Sequence, residues 1–333
     1  MSYRSRITAL DVAQLAGVSR SAVSRTFTEG ASVSPQVRAR VLAAAETLGY
    51  RVNLLAKGLK DQRTSIVGLV VSDMHHSLRA QLVDALARQL MQAGYRPMLL
   101  PVEGEDGMAH ALHMMLDYNV AGAILTSDAP PASIAAECAG HNLPLVVLNR
   151  DSAGATYAAI RHDAEAAGAL AAETLARAGC KRVIAVRQSR PSFTITWRAR
   201  AFAARASALG LDVDELIAGT RHDYDGGRAA GLAFLPTAAR FDGVHCGNDF
   251  SALGFLDALR GHISVPGDLA VIGCDDIAEG AWRAYNLTTI RHSMRDLASA
   301  AVATLTAQLT GAPPQRQQIL PVSLVPRGTT PPL

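Results

Sequence analysis

The sequence predicts a small all-α head followed by a larger α/β domain of two doubly wound, parallel-sheet lobes. Three observations lead there. Capping and stopping residues mark three short helices in the first 50 residues, and only Ala-Gly-Val-Ser separates the first two, the short-turn geometry of a helix-turn-helix. From Ser65 onward, short apolar runs alternate with alanine-rich helical stretches, the pattern of parallel strands joined by helices. The length of 65–333 suits two such lobes rather than one.

Thr8 opens the first helix as Thr-x-x-Asp, a cap-like start, and Gly17 closes it. Ser19 can cap a second helix running to about Glu29. Ser34-Pro35 is a strong third start, a capping hydroxyl followed by proline at the first helical position. That helix carries Val37, Val41, Leu42, Ala45 and Leu48, and Gly49 stops it. Residues 50–64, YRVNLLAKGLKDQRT, read as a linker. IVGLVV (66–71) then reads as a buried strand, followed by a helix around 77–92 and a strand near 97–102. AGAILT (121–126), LPLVVLN (143–149), RVIAV (182–186), GVHC (243–246) and LAVIGC (269–274) continue the series. In open α/β sheets ligands sit beyond the carboxyl ends of the strands, so a pocket is expected just after these runs.

Apolar content of 49% and charged content of 18% are globular values and exclude a disordered chain. No stretch reaches 18 uncharged apolar residues, so no membrane span is expected. The opening MSYRSRITALDVA has no apolar core of signal-peptide type. Cys138, Cys180, Cys246 and Cys274 are far apart and form no CxxC pair, which points to reduced, buried thiols in a cytoplasm. The net charge of +3 conceals a split. Residues 1–60 hold nine arginines and lysines against three acids, six net positive charges, so the rest carries three net negative ones. A basic head on a mildly acidic body suits a polyanion partner for the head alone.

TALDVAQLAGVSRSAVSRTF (8–27) strongly resembles the DNA-binding head of the lactose- and galactose-repressor (LacI-type) family. The likeness continues through GYRVNLLAKGL and returns in HCGNDFSALGFLDAL, VPGDLAVIGCDD, LTTIRHSM and LVPRGTT, nearly the whole chain. It implies a helix-turn-helix head with a hinge over 1–60. It also implies a periplasmic-binding-protein-like effector and dimerisation domain over 61–333. Lobe 1 is expected at about 65–160 and 291–325, and lobe 2 at about 161–290. A homodimer reading a pseudo-palindromic operator in the cytoplasm, under a small sugar-like effector, is the implied function. Arg20, Ser21 and Arg25 then enter the major groove, where arginine can donate two bonds to guanine. Thr8, Ser19 and Ser24 are placed for phosphate contacts, which position the head without reading sequence. Val18 and Val23 face the head's core. Ala22 departs from the usual threonine.

In the hinge, Val52 takes a position that is usually proline, so the linker is less restrained. Asn53 remains a candidate cap, and Leu59 matches the leucine that relatives wedge into the minor groove. Gly58 weakens that helix by roughly 1 kcal/mol relative to alanine, implying a hinge folded only on DNA.

The resemblance also implies an effector pocket built from Asp73, His75, Arg79, Asn149, Ser192, Thr194, Arg198, His222, Asn248 and Asp275. His76-Ser77-Leu78-Arg79 replaces the common Asn-Pro-Phe-Phe, so Arg79 stands where an aromatic is usual. Arg198 matches the arginine that grips ligand hydroxyls or carboxylates, and His222 falls where relatives stack an aromatic. Asp249 and Asp276 read as capping or packing residues rather than ligand contacts. Two guanidiniums in one cleft suit an anion, a sugar acid or sugar phosphate. The competing reading pairs Arg79 with Asp73 or Asp275 and leaves a neutral sugar or nucleoside as effector. An enzyme is disfavoured, because no GxSxG, HExxH, GxxxxGK[ST] or strand-following GxGxxG occurs, and no motif calls for a cofactor or metal. A freestanding periplasmic sugar-binding protein would share the lobes but not the basic head. LVPRG (324–328) resembles a vector protease site, yet Arg327 fits the family's carboxy-terminal arginine and reads as native. About ten residues after Gln318-Ile319 are too few for a tetramerising coiled coil, so a dimer is expected.

Overall fold

The computed structural model describes residues 7–28, 30–52, 64–72, 74, 77–126, 132–152, 156–312 and 316–332. They fall into two compact units, 1–64 and 65–333.

The first unit comprises α1 (Ala9–Ala16), α2 (Arg20–Thr26) and α3 (Pro35–Leu48). Thr8 and Asp11 form a reciprocal capping box at the start of α1. Gly17 and Gly49 close α1 and α3 at φ 62° and 65°, left-handed conformations that glycine adopts without strain. Ser19 and Ser34 accept from Ala22 N and Val37 N, each at 3.3 Å. Helix α2 stops at Thr26, three residues before the expected Glu29. A tertiary bond meets it there: Arg38 of α3 donates to the Thr26 carbonyl at 3.0 Å, satisfying a terminal acceptor. Val12, Val23 and Val41 form the core, with Val18 packed at its edge. Leu42, expected on the buried face, is 47% exposed. It follows Val41 by one residue, about 100° around the helix, off the stripe that Val41, Ala44 and Ala45 bury.

The second unit begins with β1 (Ile66–Val71), α4 (Ser77–Gln92), β2 (Arg96–Pro101), α5 (Gly104–Asp117), β3 (Gly122–Leu125), α6 (Ala132–Gly140), β4 (Leu145–Leu148) and β5 (Ala158–His162). It continues with α7 (Ala164–Arg177), β6 (Arg182–Arg187), α8 (Phe193–Ala208), β7 (Asp212–Ile217), α9 (Tyr224–Phe234), β8 (Gly243–Cys246), α10 (Asp249–Leu259) and β9 (Ala270–Asp275). The last elements are β10 (Thr288–Arg291), α11 (Met294–Leu309), β11 (Gln317–Leu320) and β12 (Ser323–Val325). Among the described residues they make two six-stranded sheets, ordered β11-β5-β4-β3-β1-β2 and β12-β10-β9-β8-β6-β7. All recorded pairings are parallel except β10 with β12. Helices cover both faces of each sheet, which explains the continuous apolar runs of β1, β4 and β9.

The chain passes between the lobes three times. After β5 it enters α7, which packs on the second sheet; after β10 it enters α11, which packs on the first. The third passage corrects the expected lobe 1 segment 291–325. Leu320 ends a strand of the first sheet, but Ser323–Val325 pairs with β10 in the second. Beyond it, Arg327 donates to the Leu287 carbonyl at 2.8 Å and pairs with Asp276, and the Thr329 hydroxyl donates to the Val271 carbonyl at 2.7 Å. These bonds hold the segment after β11 to the second lobe. All four cysteines are buried and free. No described helix is long and apolar enough to cross a membrane.

Candidate functional site

On α2 and its cap, Ser19, Arg20, Ser21, Ser24 and Arg25 are all exposed, while Val23 is buried beneath them. Ser21 and Arg25 are four residues apart and share a face. Ser19 Oγ lies 2.9 Å from Ser21 Oγ, and one donates to the other, so one hydroxyl proton of the pair stays available to an outside acceptor. Thr8 differs from its expected role as a phosphate contact. Its hydroxyl donates to Asp11 Oδ2 at 2.8 Å, and bonds from the Thr8 backbone and side chain hold the Asp11 carboxyl below its ordinary pKa. That proton is committed and a negative charge sits beside it, so the geometry assigns Thr8 to capping. Asn53 and Leu59 lie outside the described residues.

In the second unit a cavity of about 220 Å³ opens between the lobes. Arg79, Asn149, Ser192, Thr194, Arg198, His222, Asn248 and Asp275 all line it. Asp73, His75 and His76 lie outside the described residues. The fold explains the convergence: Asn149 and Asp275 stand at the carboxyl ends of β4 and β9, and Ser192 and Asn248 cap α8 and α10. Asn149 and Asp275 have φ of 59° and 136°, conformations uncommon for non-glycine residues and concentrated at ligand sites.

Arg198, 8% exposed, donates through Nη1 to the Gly247 carbonyl at 2.9 Å and to Asp275 Oδ1 at 3.3 Å. His292 Nε2 lies 2.7 Å from the same carboxylate oxygen. Asn248 bridges two helix starts, accepting from Ser251 N and donating to the His222 carbonyl, both at 2.9 Å. His222 Nδ1 lies 2.8 Å from Gln188 Oε1 and its Nε2 lies 2.7 Å from the Arg190 carbonyl. Both nitrogens are engaged, so a ligand meets this ring through carbon, and burial lowers its pKa. Arg79 donates to the Thr126 carbonyl. Asp249 accepts from Thr289 Oγ1 and Ile277 N, Asp276 pairs with Arg291 and Arg327, and neither lines the cavity.

Sequence reasoning did not place Thr126, Arg150, Arg190, Phe193, Arg221 and His292 in the lining. The signal was present for four of them. Thr126, Arg150, Arg190 and His292 each follow the carboxyl end of a parallel strand, where a ligand is expected. With them the described residues of the lining include five arginines, Arg79, Arg150, Arg190, Arg198 and Arg221, and one carboxylate, Asp275. The Arg221 charge is partly answered outside the lining by Asp223 at 3.2 Å.

His162 and His292 stand at two of the lobe passages and stack with ring centroids 4.4 Å apart. Burial, then the charge of His292, lowers His162 to about 3. Burial, then the charge of Arg198, lowers His245 to about 4. Both are neutral in the folded chain at pH values where the unfolded chain is protonated, because the ordinary value is 6.5. Each therefore contributes stability that is complete above that value and is lost as the pH falls through the folded value. Asp249 has the opposite sign, since burial and then Asp275 raise its pKa. His222, also lowered by burial, acts in the same direction, so the imidazoles outweigh the one carboxyl and stability is expected to fall as the pH drops from about 6.5 towards 4. Urea unfolding across that range checks this. In His245→Phe, which keeps a ring against Phe202, the slope should flatten.

Cys274, Asp275 and His292 place one donor atom each within 4.8 Å of one another. They do not fit a metal ion. The Asp275 carboxylate already holds the Arg198 guanidinium, and burial pushes the Cys274 thiol far above its ordinary pKa.

An exposed arginine-bearing helix-turn-helix, joined in one chain to a two-lobed domain with a polar cleft, defines a ligand-responsive DNA-binding regulator. Residues 8–53 match the model of the lacI family of bacterial regulatory proteins, and residues 172–330 match the periplasmic binding protein-like domain. The ribose operon repressor of Escherichia coli (strain K12) is 28% identical over 327 residues, covering 96% of this chain and 98% of that protein. The transcriptional regulator MalR of Streptomyces coelicolor is 28% identical over 333 residues, covering 96% and 95%. The Lac repressor dimer bound to operator and the anti-inducer ONPF aligns with a TM-score of 0.89 at 26% identity, covering 98% of this chain and 99% of that one. The chain thus joins a lacI-family DNA-binding head to a periplasmic binding protein-like domain, the make-up of a transcriptional regulator.

Proposed function

We propose that the protein represses transcription in the cytoplasm as a homodimer on a pseudo-palindromic operator, and that its effector is an anionic sugar derivative, a sugar acid or sugar phosphate. The observation that carries the effector reading is the convergence of five arginines among the described residues of the cavity lining. Arginine pairs carboxylate and phosphate through two parallel bonds, so guanidiniums that converge on one cavity suit an anionic ligand. The effector acts by binding two lobe arrangements unequally, which couples cleft and operator by about 1–3 kcal/mol. The relatives support the DNA half: one carries the name of an operon repressor, and the Lac repressor dimer is bound to operator.

Thermal-shift screening of neutral sugars beside the corresponding acids and phosphates tests the charge reading. Acids or phosphates should stabilise the protein, less so in Arg79→Leu. Stabilisation by neutral sugars alone, undiminished in that variant, would overturn it. The neutral-sugar reading has one supporting observation, that Arg198 and Asp275 already answer each other's charge.

In the head, Arg20, Ser21 and Arg25 read base edges, and Ser19 and Ser24 contact phosphates. The hinge within residues 1–60 contributes Asn53 as a cap and Leu59 as a minor-groove wedge. Arg25→Ala should cost about 1–3 kcal/mol and relax base preference, whereas Ser24→Ala should weaken all sequences alike. Gel shifts with operator variants at fixed salt separate the two. Equal losses on operator and random DNA would remove Arg25 from base reading.

A further inference from the structure

A larger concavity of about 710 Å³ adjoins the cleft. One wall is a single stripe of α8, with Phe193, Thr196, Trp197, Arg200 and Ala201 at i, i+3, i+4, i+7 and i+8. The side of α8 that carries Ile195, Arg198, Ala199 and Phe202 is buried. The stripe therefore faces away from that side, with Ala201 at its edge beside Gly168 of α7, and the Phe193 and Trp197 rings are only half-buried. These rings meet edge to face at 4.8 Å, and each is backed by a guanidinium: Arg150 at 5.0 Å from Phe193, Arg161 at 4.2 Å from Trp197. Glu165 holds Arg161 at 3.0 Å, so the cation under Trp197 is itself fixed.

The groove is continuous with the cleft, because Arg150, Pro191, Ser192 and Phe193 line both. A ligand seated beside Ser192 can extend past Phe193 without leaving the protein surface. We propose that the effector carries, besides the polar group held in the cleft, a planar aromatic or heteroaromatic substituent that lies in this groove against Phe193 and Trp197. Ring against ring is favoured over an aliphatic chain, since edge and face contacts between aromatics add to the burial of area. The stripe runs about 12 Å along the helix, the length of one or two fused rings rather than of an extended polymer. Arg200 and Glu165 on the lining supply polar partners for ring heteroatoms. The inference rests on the proposed reading only in placing the effector in the cleft; it does not depend on the effector's charge.

Four pairs of probes test it by calorimetry on the full chain: glucose and nitrophenyl glucoside, glucuronate and nitrophenyl glucuronide, ribose and adenosine, ribose phosphate and adenosine monophosphate. In whichever pair binds, the ring-bearing member should bind about tenfold tighter or more. That gain should vanish in Trp197→Ala and in Thr196→Trp, which fills the groove without removing Trp197, while the bare member binds as before. Trp197 and Trp282 are the chain's two tryptophans. In Trp282→Phe the ring-bearing probe should therefore change Trp197 fluorescence and the bare probe should not. Equal binding within the pairs, a gain that survives both groove substitutions, or no binding by any of the eight overturns the inference. Whether neutral or anionic pairs bind decides the charge reading separately.

Discussion

Arg198→Ala is expected to abolish effector binding and to lower the stability of the second unit by about 3–5 kcal/mol, the cost of breaking a buried ion pair from one side. The guanidinium lies between the Gly247 carbonyl and Asp275, and both charged partners are less than 10% exposed. Removing it leaves the Asp275 carboxylate buried, with His292 as its remaining ion-pair partner among the described residues. Asp249 nearby already has its pKa raised by burial and by Asp275, so the loss is felt by two carboxyl groups. Adding Asp275→Asn should restore much of the stability, because it removes the stranded charge, but not the binding. Urea unfolding and calorimetry on the single and double variants check both halves. A loss below about 1 kcal/mol in the single variant would mean that the pair is worth no more than a surface one.

Gly254→Ala is expected to cost about 3 kcal/mol, at the upper end for one added methyl in a packed interior. A Cβ there would sit 1.9 Å from the Tyr224 carbonyl oxygen and 2.7 Å from Arg228 N. The reverse contact is equally closed, since a Cβ on Gly227 would sit 2.0 Å from the Ser251 carbonyl oxygen. Helices α9 and α10 therefore meet backbone to backbone and must separate to admit a side chain. His222 precedes α9 and Asn248 caps α10, and the 2.9 Å bond between them closes one side of the cleft. Effector affinity should fall together with stability, both read on the same preparation. Gly140→Ala is the control: nothing lies within 4 Å of its Cβ position, and stability should be nearly unchanged.

Elements whose causes are local were legible in the residues alone. Thr8 with Asp11, Ser19, Ser34 and the stops at Gly17 and Gly49 place α1 to α3, because capping depends on residues within one turn. Runs such as IVGLVV and LAVIGC read as strands buried on both faces, and the structure buries them so. The exposed arginines of α2 were legible for the same reason, being opposite the valine that the head buries. Eight cleft residues were legible because they stand in motifs of a familiar family, not because spacing reveals a pocket. Tertiary structure decided what depends on distant neighbours. Arg38 meets the end of α2 across twelve positions of sequence, and β12 leaves the first sheet because β10 offers it a free edge in the second. The cleft's charge was settled in the same way. Arg150, Arg190 and Arg221 gather around one cavity only when strand ends of two sheets face each other. Close glycine contacts between α9 and α10 set how near His222 and Asn248 come. Caps and strand periodicity are properties of adjacent residues, whereas a cavity's composition is a property of the packing that brings its walls together.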